Sequence, residues 1–295
     1  MKIDLHCHST CSDGTFSPTQ VVEKAGQACI EVLALTDHDT TAGINEAKAA
    51  AVAQGITLIN GVEISCEHTL SGGYGKHQNH TKIIHVVGLG FDDMDKMSET
   101  LAQLQQSRAN RGRAIVAKLA QILPTNDFDV NEDDLWQKIL AKADGNPQAV
   151  GRSHIAQVLK AIGAVSTIQQ AFDKYLADNK SAYVKIDALT MQKGIELIHA
   201  CGGRAVLAHP TRYNLSATRV RKLIEAFKQL GGDACELPAT CEPISKRQMI
   251  DRAIAQHDLM VSVASDFHGA SMPWRRLGDV PKKGAEQVGV WEQFI

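Results

Sequence analysis

Short apolar runs of strand length alternate with amphipathic stretches of helix length from the start of the chain. Ile3 to His8 reads as a strand, a helix follows from about Pro18, Val32 to Thr36 is a second strand, and Thr41 to Gln54 a second helix. The rhythm resumes with Ile56 to Ile64 and Ile83 to Phe91, then with Ala205 to Ala208, Ala234 to Leu237 and Leu259 to Ala264, with helices between. Parallel strands wound with helices are the expectation, an α/β fold. Ser17-Pro18 supports the first helix boundary independently, because Ser caps an open N-terminus and Pro fits the first turn, where no N–H is needed.

From about Asp93 to Ala182 the pattern changes to Leu, Ile and Ala at helical spacing, without a convincing strand and punctuated by Gly145, Asn146 and Pro147. This predicts a helical insertion, residues 96–182, in a unit built from residues 1–95 and 183–295. If the flanking strands share one barrel, the insertion caps one of its ends. There is no internal repeat, and Ser71 to His80, SGGYGKHQNH, reads as a mobile loop.

Composition narrows the classes. Lys plus Arg is 31 and Asp plus Glu is 33, a formal net charge of -2, so the chain lacks the global basic field of a duplex-DNA binder and must hold any anion by local charge. The seven Cys include no CxxC pair, and the first residues show no basic region followed by an apolar run, which reads as a reduced, cytoplasmic protein. No apolar stretch approaches the roughly 20 residues that cross a bilayer, and no obligate protein partner is evident.

Several of the 12 His sit beside Asp or Glu at the ends of expected strands, where the loops of a parallel α/β fold converge. His6 and His8 are two apart on a strand, so both project to one face and can point at one ion; Cys7 between them faces away and packs. Asp13 follows in a Ser-Asp-Gly loop as either an Asx turn or a ligand. His38 lies in Thr-Asp-His-Asp at the end of the second strand, and Glu63 ends the third, where one carboxylate can bridge two ions. His85 falls within an apolar run, His209 precedes the Pro that stops its strand, and Asp266 with His268 repeats the i, i+2 device. His6, His8, Asp13, His38, Glu63, His85, His209, Asp266 and His268 together suffice for two or three divalent ions. Imidazole and carboxylate without thiolate favour Mn, Fe or Zn over a closed structural zinc site. His68, His77 and His80 read as loop surface, and His199 and His257 as ordinary helix residues.

In order and spacing, DLHCHS, SDG, TDHD, GVEIS, the AHP turn and SDFH resemble the PHP (polymerase and histidinol phosphatase) metallophosphoesterases. Lys174-Tyr175-Leu176, Tyr183-Val184, AVLAHPTRYNLSA and the insertion resemble, more narrowly, the TrpH-like subfamily of 3',5'-nucleoside bisphosphate phosphatases and the 5' to 3' exoribonuclease RNase AM. The resemblance implies a distorted (β/α)7 barrel, those nine positions as ligands of a two- or three-ion site, most simply Mn2+, and phosphoester hydrolysis. Thr211, where many members have Gly, and a loop from Glu67 to Lys82 that is longer than usual are departures near the site mouth.

Ions sharing Glu63 would activate a water and neutralise the phosphoryl oxygens. Asp13, His38 and His209 are the candidates for the leaving group's proton, with no assignment among them. A second phosphate needs a second anion site. Arg108 and Arg111, three apart on one helix face, and Arg212 are the preferred clamps, with Arg113, Arg152, His154 and Lys180 further candidates. If they grip a 5' phosphate, one geometry serves both pAp-like nucleotides and the 5' end of short single-stranded RNA. The rival readings are a histidinol-phosphate-type phosphatase, a metal-dependent amidohydrolase, disfavoured because no strand-end lysine suits carbamylation, and a non-catalytic metal-binding module.

Overall fold

The computed structural model describes residues 1–71, 79–123 and 131–295. In chain order the first elements are β1 (Ile3–Cys7), α1 (Pro18–Gln27), β2 (Val32–Leu35), α2 (Ile44–Gln54), β3 (Thr57–Ser71) and β4 (Asn79–Leu89). The helices α3 (Met94–Ile122), α4 (Glu132–Lys142), α5 (Arg152–Ala161) and α6 (Ile168–Ala171) follow, with a π-helical turn over Phe172–Leu176. The chain then forms β5 (Leu189–Thr190), α7 (Met191–Ala200), β6 (Arg204–Leu207), α8 (Ala217–Gln229), β7 (Ala234–Glu236), α9 (Ile244–Gln256) and β8 (Met260–Ser262). At the start of α1, Ser17 Oγ accepts from the Gln20 N–H while the Gln20 side chain accepts from the Ser17 N–H, the capping box that stabilises an open helix end.

The strands lie in the order β1-β2-β3-β4-β6-β7-β8, with β5 paired to β3. The sheet curls until the segment after β8 meets β1: Leu5 donates to the Val263 carbonyl (3.0 Å), Asp266 to that of His6 (2.9 Å) and His8 to that of Phe267 (2.9 Å). This is a distorted barrel whose two edges are bridged by main-chain hydrogen bonds. One expectation is corrected: β4 runs antiparallel to both β3 and β6. Only seven residues separate β3 from β4, fewer than the dozen or so that a crossover between parallel strands takes. The same pairing corrects the loop reading, since β3 and β4 stay in register from Gly61↔Leu89 out to Ser71↔Asn79. Residues 72–78 of the expected mobile loop, His77 among them, lie outside the described residues.

Burial divides into a core inside the barrel, a second cluster where α1 and α2 pack on the outside of β1 and β2, and a third among the helices that follow β4. The first half of α3 places Met97, Leu101 and Leu104 in the barrel core, and its second half places Ile115, Val116 and Leu119 against Leu135, Trp136 and Ile139 of α4 and Ile155 and Leu159 of α5. One continuous helix therefore ties both bodies. Gly112 makes this approach possible, because a Cβ there would lie 3.0 Å from Val150 Cγ1 and 3.4 Å from the Trp136 ring. Among the described residues no helix is long and apolar enough to cross a membrane.

Trp136 is 1% exposed and central to the insertion core. Trp136→Ala is expected to destabilise by about 3–5 kcal/mol, the usual loss for a buried large aromatic; urea unfolding followed by circular dichroism checks it, and a loss below about 1 kcal/mol would show that this core is not packed around the indole.

Candidate metal centre

The barrel's strand ends deliver their polar side chains into one buried cluster. His6 and His8 alternate along and just beyond β1, and their Nε2 atoms face each other at 3.1 Å. Glu63, 1% exposed in β3, sits at the middle. Its Oε2 lies 3.2 Å from His6 Nε2, 3.3 Å from His8 Nε2 and 2.9 Å from His38 Nδ1, and its Oε1 lies 2.8 Å from His85 Nδ1 and 2.9 Å from His209 Nε2. Asp266 Oδ1 lies 3.5 and 3.4 Å from the same two Nε2 atoms, and Asp13 Oδ1 lies 3.2 Å from His268 Nε2.

Ligand atoms converge in four overlapping groups: His8, Asp13, His38 and His268; His6, Glu63 and His209; His6, His8 and Asp266; and His38, Glu63 and His85. Each of the nine positions singled out by sequence falls in at least one. The donors fit divalent cations better than they fit one another. Asp13 Oδ1, His38 Nδ1, Glu63 Oε2, His85 Nδ1 and His209 Nδ1 are buried and, though several lie close to one another, none is aligned for a hydrogen bond, a cost that native interiors rarely tolerate unless an ion or water takes the lone pairs. Imidazole and carboxylate suit Mn, Fe or Zn. Cys7 contributes nothing here, because its Sγ turns away to the Ala34 carbonyl.

Protonation follows the crowding. Burial works against the charged form of Glu63, but the imidazoles of His38, His85 and His6 outweigh it and hold the carboxyl well below its ordinary range. Asp266 and Asp13 behave alike, burial being overcome chiefly by His268. His8 is pushed up to about 10 because Asp266 and Glu63 overcome its burial, whereas burial takes His38 down to about 4.

A second tier of carboxylates, which sequence reasoning missed, holds the ligands in place. Glu236, at the end of β7, pairs with His6 Nδ1 at 2.6 Å and accepts the His209 N–H at 2.7 Å, so one carboxylate orients ligands from two strands. Asp37 accepts from the Ser9 N–H, Ser9 Oγ and Ser12 Oγ at 2.5–2.7 Å, and Asp4 accepts from the main chain of Ser265 and Gly278. Asp39 accepts from Ser65 and Arg108. Tyr213 Oη accepts the His85 N–H at 2.7 Å. Asp4 and Asp37 carried the signal of charge embedded in an otherwise apolar strand end; Glu236 and Tyr213 carried none. Asp39, His209 and Asp266, three of the seven non-glycine residues with positive φ among the described residues, hold left-handed φ angles of 53°, 29° and 53°, costly for side-chain-bearing residues, at this site.

A cavity of about 780 Å³ opens over the cluster. Its floor includes Asp13, His38, Glu63, His85, His209, Asp266 and His268; its far wall, from the insertion, includes Arg111, Arg152, Phe172, Lys180 and Tyr183. Arg111 donates from Nε to the Val184 carbonyl and Arg152 from a terminal nitrogen to that of Leu176. Burial, then the neighbouring Arg152 and Arg108, lowers Arg111 to about 9, so three arginines crowd this wall, beside the acidic Asp173 and Asp178. Arg108 and Arg212 also line the cavity and are paired, to Asp39 and Asp266, and Arg152 pairs with Asp178, which Lys82 shares. His154 does not reach it: buried, it accepts the Gly151 N–H at Nδ1. Arg113 stacks over the Trp136 ring, and His199 pairs with Asp233.

The barrel with this cluster defines a class. Residues 4–234 match the PHP domain, and the chain belongs to that family. It is 42% identical to a 5'-3' exoribonuclease of Haemophilus influenzae, over 99% of both chains. It is 34% identical to a 3',5'-nucleoside bisphosphate phosphatase of Chromobacterium violaceum, over 94% of this chain and 90% of that one. A solved structure of an amidohydrolase from Chromobacterium violaceum, with bound sulfate and no metal, matches with a TM-score of 0.84 at 31% identity, covering 99% of this chain and 95% of that one.

A ligating imidazole must be neutral, and His8 is held protonated up to about pH 10 in the metal-free protein. Mn2+ binding at pH 8 is therefore expected to release protons, read as a calorimetric heat that changes with the buffer's ionisation enthalpy. A buffer-independent heat would contradict this protonation.

Proposed function

We propose that this chain is a metal-dependent phosphoesterase acting on 5'-phosphorylated nucleotides. It releases the 3' phosphate from 3',5'-nucleoside bisphosphates and removes nucleotides in the 5' to 3' direction from short 5'-phosphorylated single-stranded RNA. The observation that carries this reading is a single cavity with an imidazole and carboxylate floor facing an arginine wall. The likeness to an exoribonuclease and a bisphosphate phosphatase supports both substrates.

The nine clustered residues would hold two or three divalent ions, with Mn2+ the preferred choice and Zn2+ or Fe2+ compatible with the same donors. When bound, the ions supply Lewis acidity, activating water and neutralising phosphoryl charge. Arg111 and Arg152 grip the terminal 5' phosphate, with Lys180 at the rim, and so place the next ester bond over the floor. Held there, a bisphosphate presents its 3' phosphate and an RNA its first internucleotide bond, which is why one geometry serves both. Arg212 keeps Asp266 aligned, and the leaving oxygen takes its proton from Asp13, His38 or His209, all on the cavity floor.

The amidohydrolase description of the Chromobacterium violaceum structure keeps C–N hydrolysis as a second reading. Against it, the central position between the ligand groups is held by the Glu63 carboxylate, whose two oxygens approach five imidazoles, while Lys82 on the cavity lining is paired to Asp178.

Arg111→Ala is expected to raise KM for 3',5'-adenosine bisphosphate by ten-fold or more, about 1.5–3 kcal/mol for a lost charged hydrogen bond, while a 3'-nucleotide without a 5' phosphate is turned over as by the wild type. Asp266→Ala should abolish both activities. Phosphate-release assays on the Mn2+-loaded protein, beside 5'-phosphorylated and 5'-hydroxyl RNA, check this. Activity indifferent to the 5' phosphate removes the clamp, and no phosphoester hydrolysis in a metal-loaded protein moves C–N hydrolysis to the front.

A further inference from the structure

The insertion helix α3 sends two side chains down into the barrel's ligand layer. Arg108 is 9% exposed, and its Nε donates to Asp39 Oδ2 at 2.5 Å while Nη2 donates to Ser65 Oγ at 2.9 Å. One turn earlier, Gln105 Nε2 donates to the Asp39 carbonyl at 3.1 Å. Asp39 is fully buried and belongs to the loop that carries His38. Its carboxylate also takes the Ser65 N–H at 2.6 Å and Ser65 Oγ at 2.8 Å, and its own N–H donates to the Glu63 carbonyl at 2.9 Å. Every link in this chain of contacts is one or two residues from His38 or Glu63.

The geometry has a definite cost structure. Asp39 sits at φ 53°, a conformation that an L residue holds only when its surroundings over-determine it. Its carboxylate is buried among groups that donate to it, and among the described residues Arg108 is the only Lys or Arg in ion-pair contact with it. Without that charge the buried carboxylate would be uncompensated, and the cheapest relief is for the loop to leave the left-handed conformation. That motion would swing His38 away from Glu63, which it now approaches to 2.9 Å.

Resting on the reading of the floor as a metal centre, we infer that Arg108 is a positioning residue: through Asp39 it sets the His38 and Glu63 ligands, so the insertion governs metal affinity as well as substrate access. This assigns Arg108 a different task from Arg111, three residues along the same helix, whose partners are main-chain carbonyl and open cavity.

The test separates the two tasks by measuring Mn2+ uptake without substrate, by titration calorimetry with metal analysis, alongside kcat and KM for 3',5'-adenosine bisphosphate. Arg108→Met is expected to weaken the site that includes His38 and Glu63 by about 10–100-fold, the usual scale for a lost supporting contact to a ligand, and to lower kcat with KM within two-fold. Arg108→Lys, which can keep the ion pair but not the second bond to Ser65, should recover part of the affinity. The double variant Arg108→Met with Asp39→Asn removes the uncompensated charge together with its partner and is expected to fold and to recover Mn2+ affinity toward the wild-type value. A double variant that binds Mn2+ as weakly as Arg108→Met would overturn the inference, since Arg108 would then not act through the Asp39 carboxylate. So would a ten-fold rise in KM for Arg108→Met with Mn2+ uptake unchanged, which would make Arg108 a phosphate contact. A wild-type chain that takes up no Mn2+ would overturn the metal centre itself, a separate failure.

Discussion

The carboxylate of Glu63 is the constraint on which the rest depends. A charge buried to this degree persists only where polar groups surround it, and here five imidazoles approach its two oxygens within 3.3 Å. Those imidazoles come from four places: β1 and its end, the loop after β2, β4, and the turn after β6. Folding the barrel and assembling the cluster are therefore one event. The curled sheet brings the ligands together, and the ligands give the sheet's polar strand ends a reason to be buried.

So crowded a centre needs its own scaffold. Glu236, Asp37, Asp39 and Asp4 spend their oxygens on serine hydroxyls, main-chain N–H groups and the far nitrogen of His6. Glu236 orients His6 and His209 directly, and the three aspartates hold the neighbouring loop residues from which other ligands project. Three left-handed residues, Asp39, His209 and Asp266, show that the backbone has been bent to meet the geometry, and each is held by such contacts. Rigidity of this kind suits chemistry in which reacting atoms must be placed within a fraction of an ångström.

The insertion supplies what a barrel end lacks, a facing wall. Because α3 enters both cores, the wall is not a loosely tethered lid: Met97 and Leu101 anchor it in the barrel while Ile115 and Leu119 anchor it in its own core. Positive charge from Arg111 and Arg152 then stands opposite the ligand floor, with Arg108 reaching through to the floor itself. With divalent ions on the floor, as proposed, a polyanion entering the cavity would meet positive charge at both ends.

Much of this was legible in the sequence because it follows local rules. The alternation in His6-Cys7-His8 sends two imidazoles to one face whatever the fold, polar clusters closing apolar runs mark the strand ends, and Ser17-Pro18 marks a helix start. What the sequence could not express were choices made by partners distant along the chain. The direction of β4 depends on its being joined to β3 without a crossover helix, where two apolar runs look the same in either sense. Arg108 and Arg111 have equal claims on one helix face, and only packing shows that one meets Asp39 and the other the cavity. Glu236 is a lone carboxylate until β7 is set between β6 and β8. The sequence by itself determined which residue types stand at each strand end, because side-chain alternation and chain punctuation are local; the tertiary structure alone decided which charges face each other, because burial and pairing belong to residues that meet only when the barrel closes.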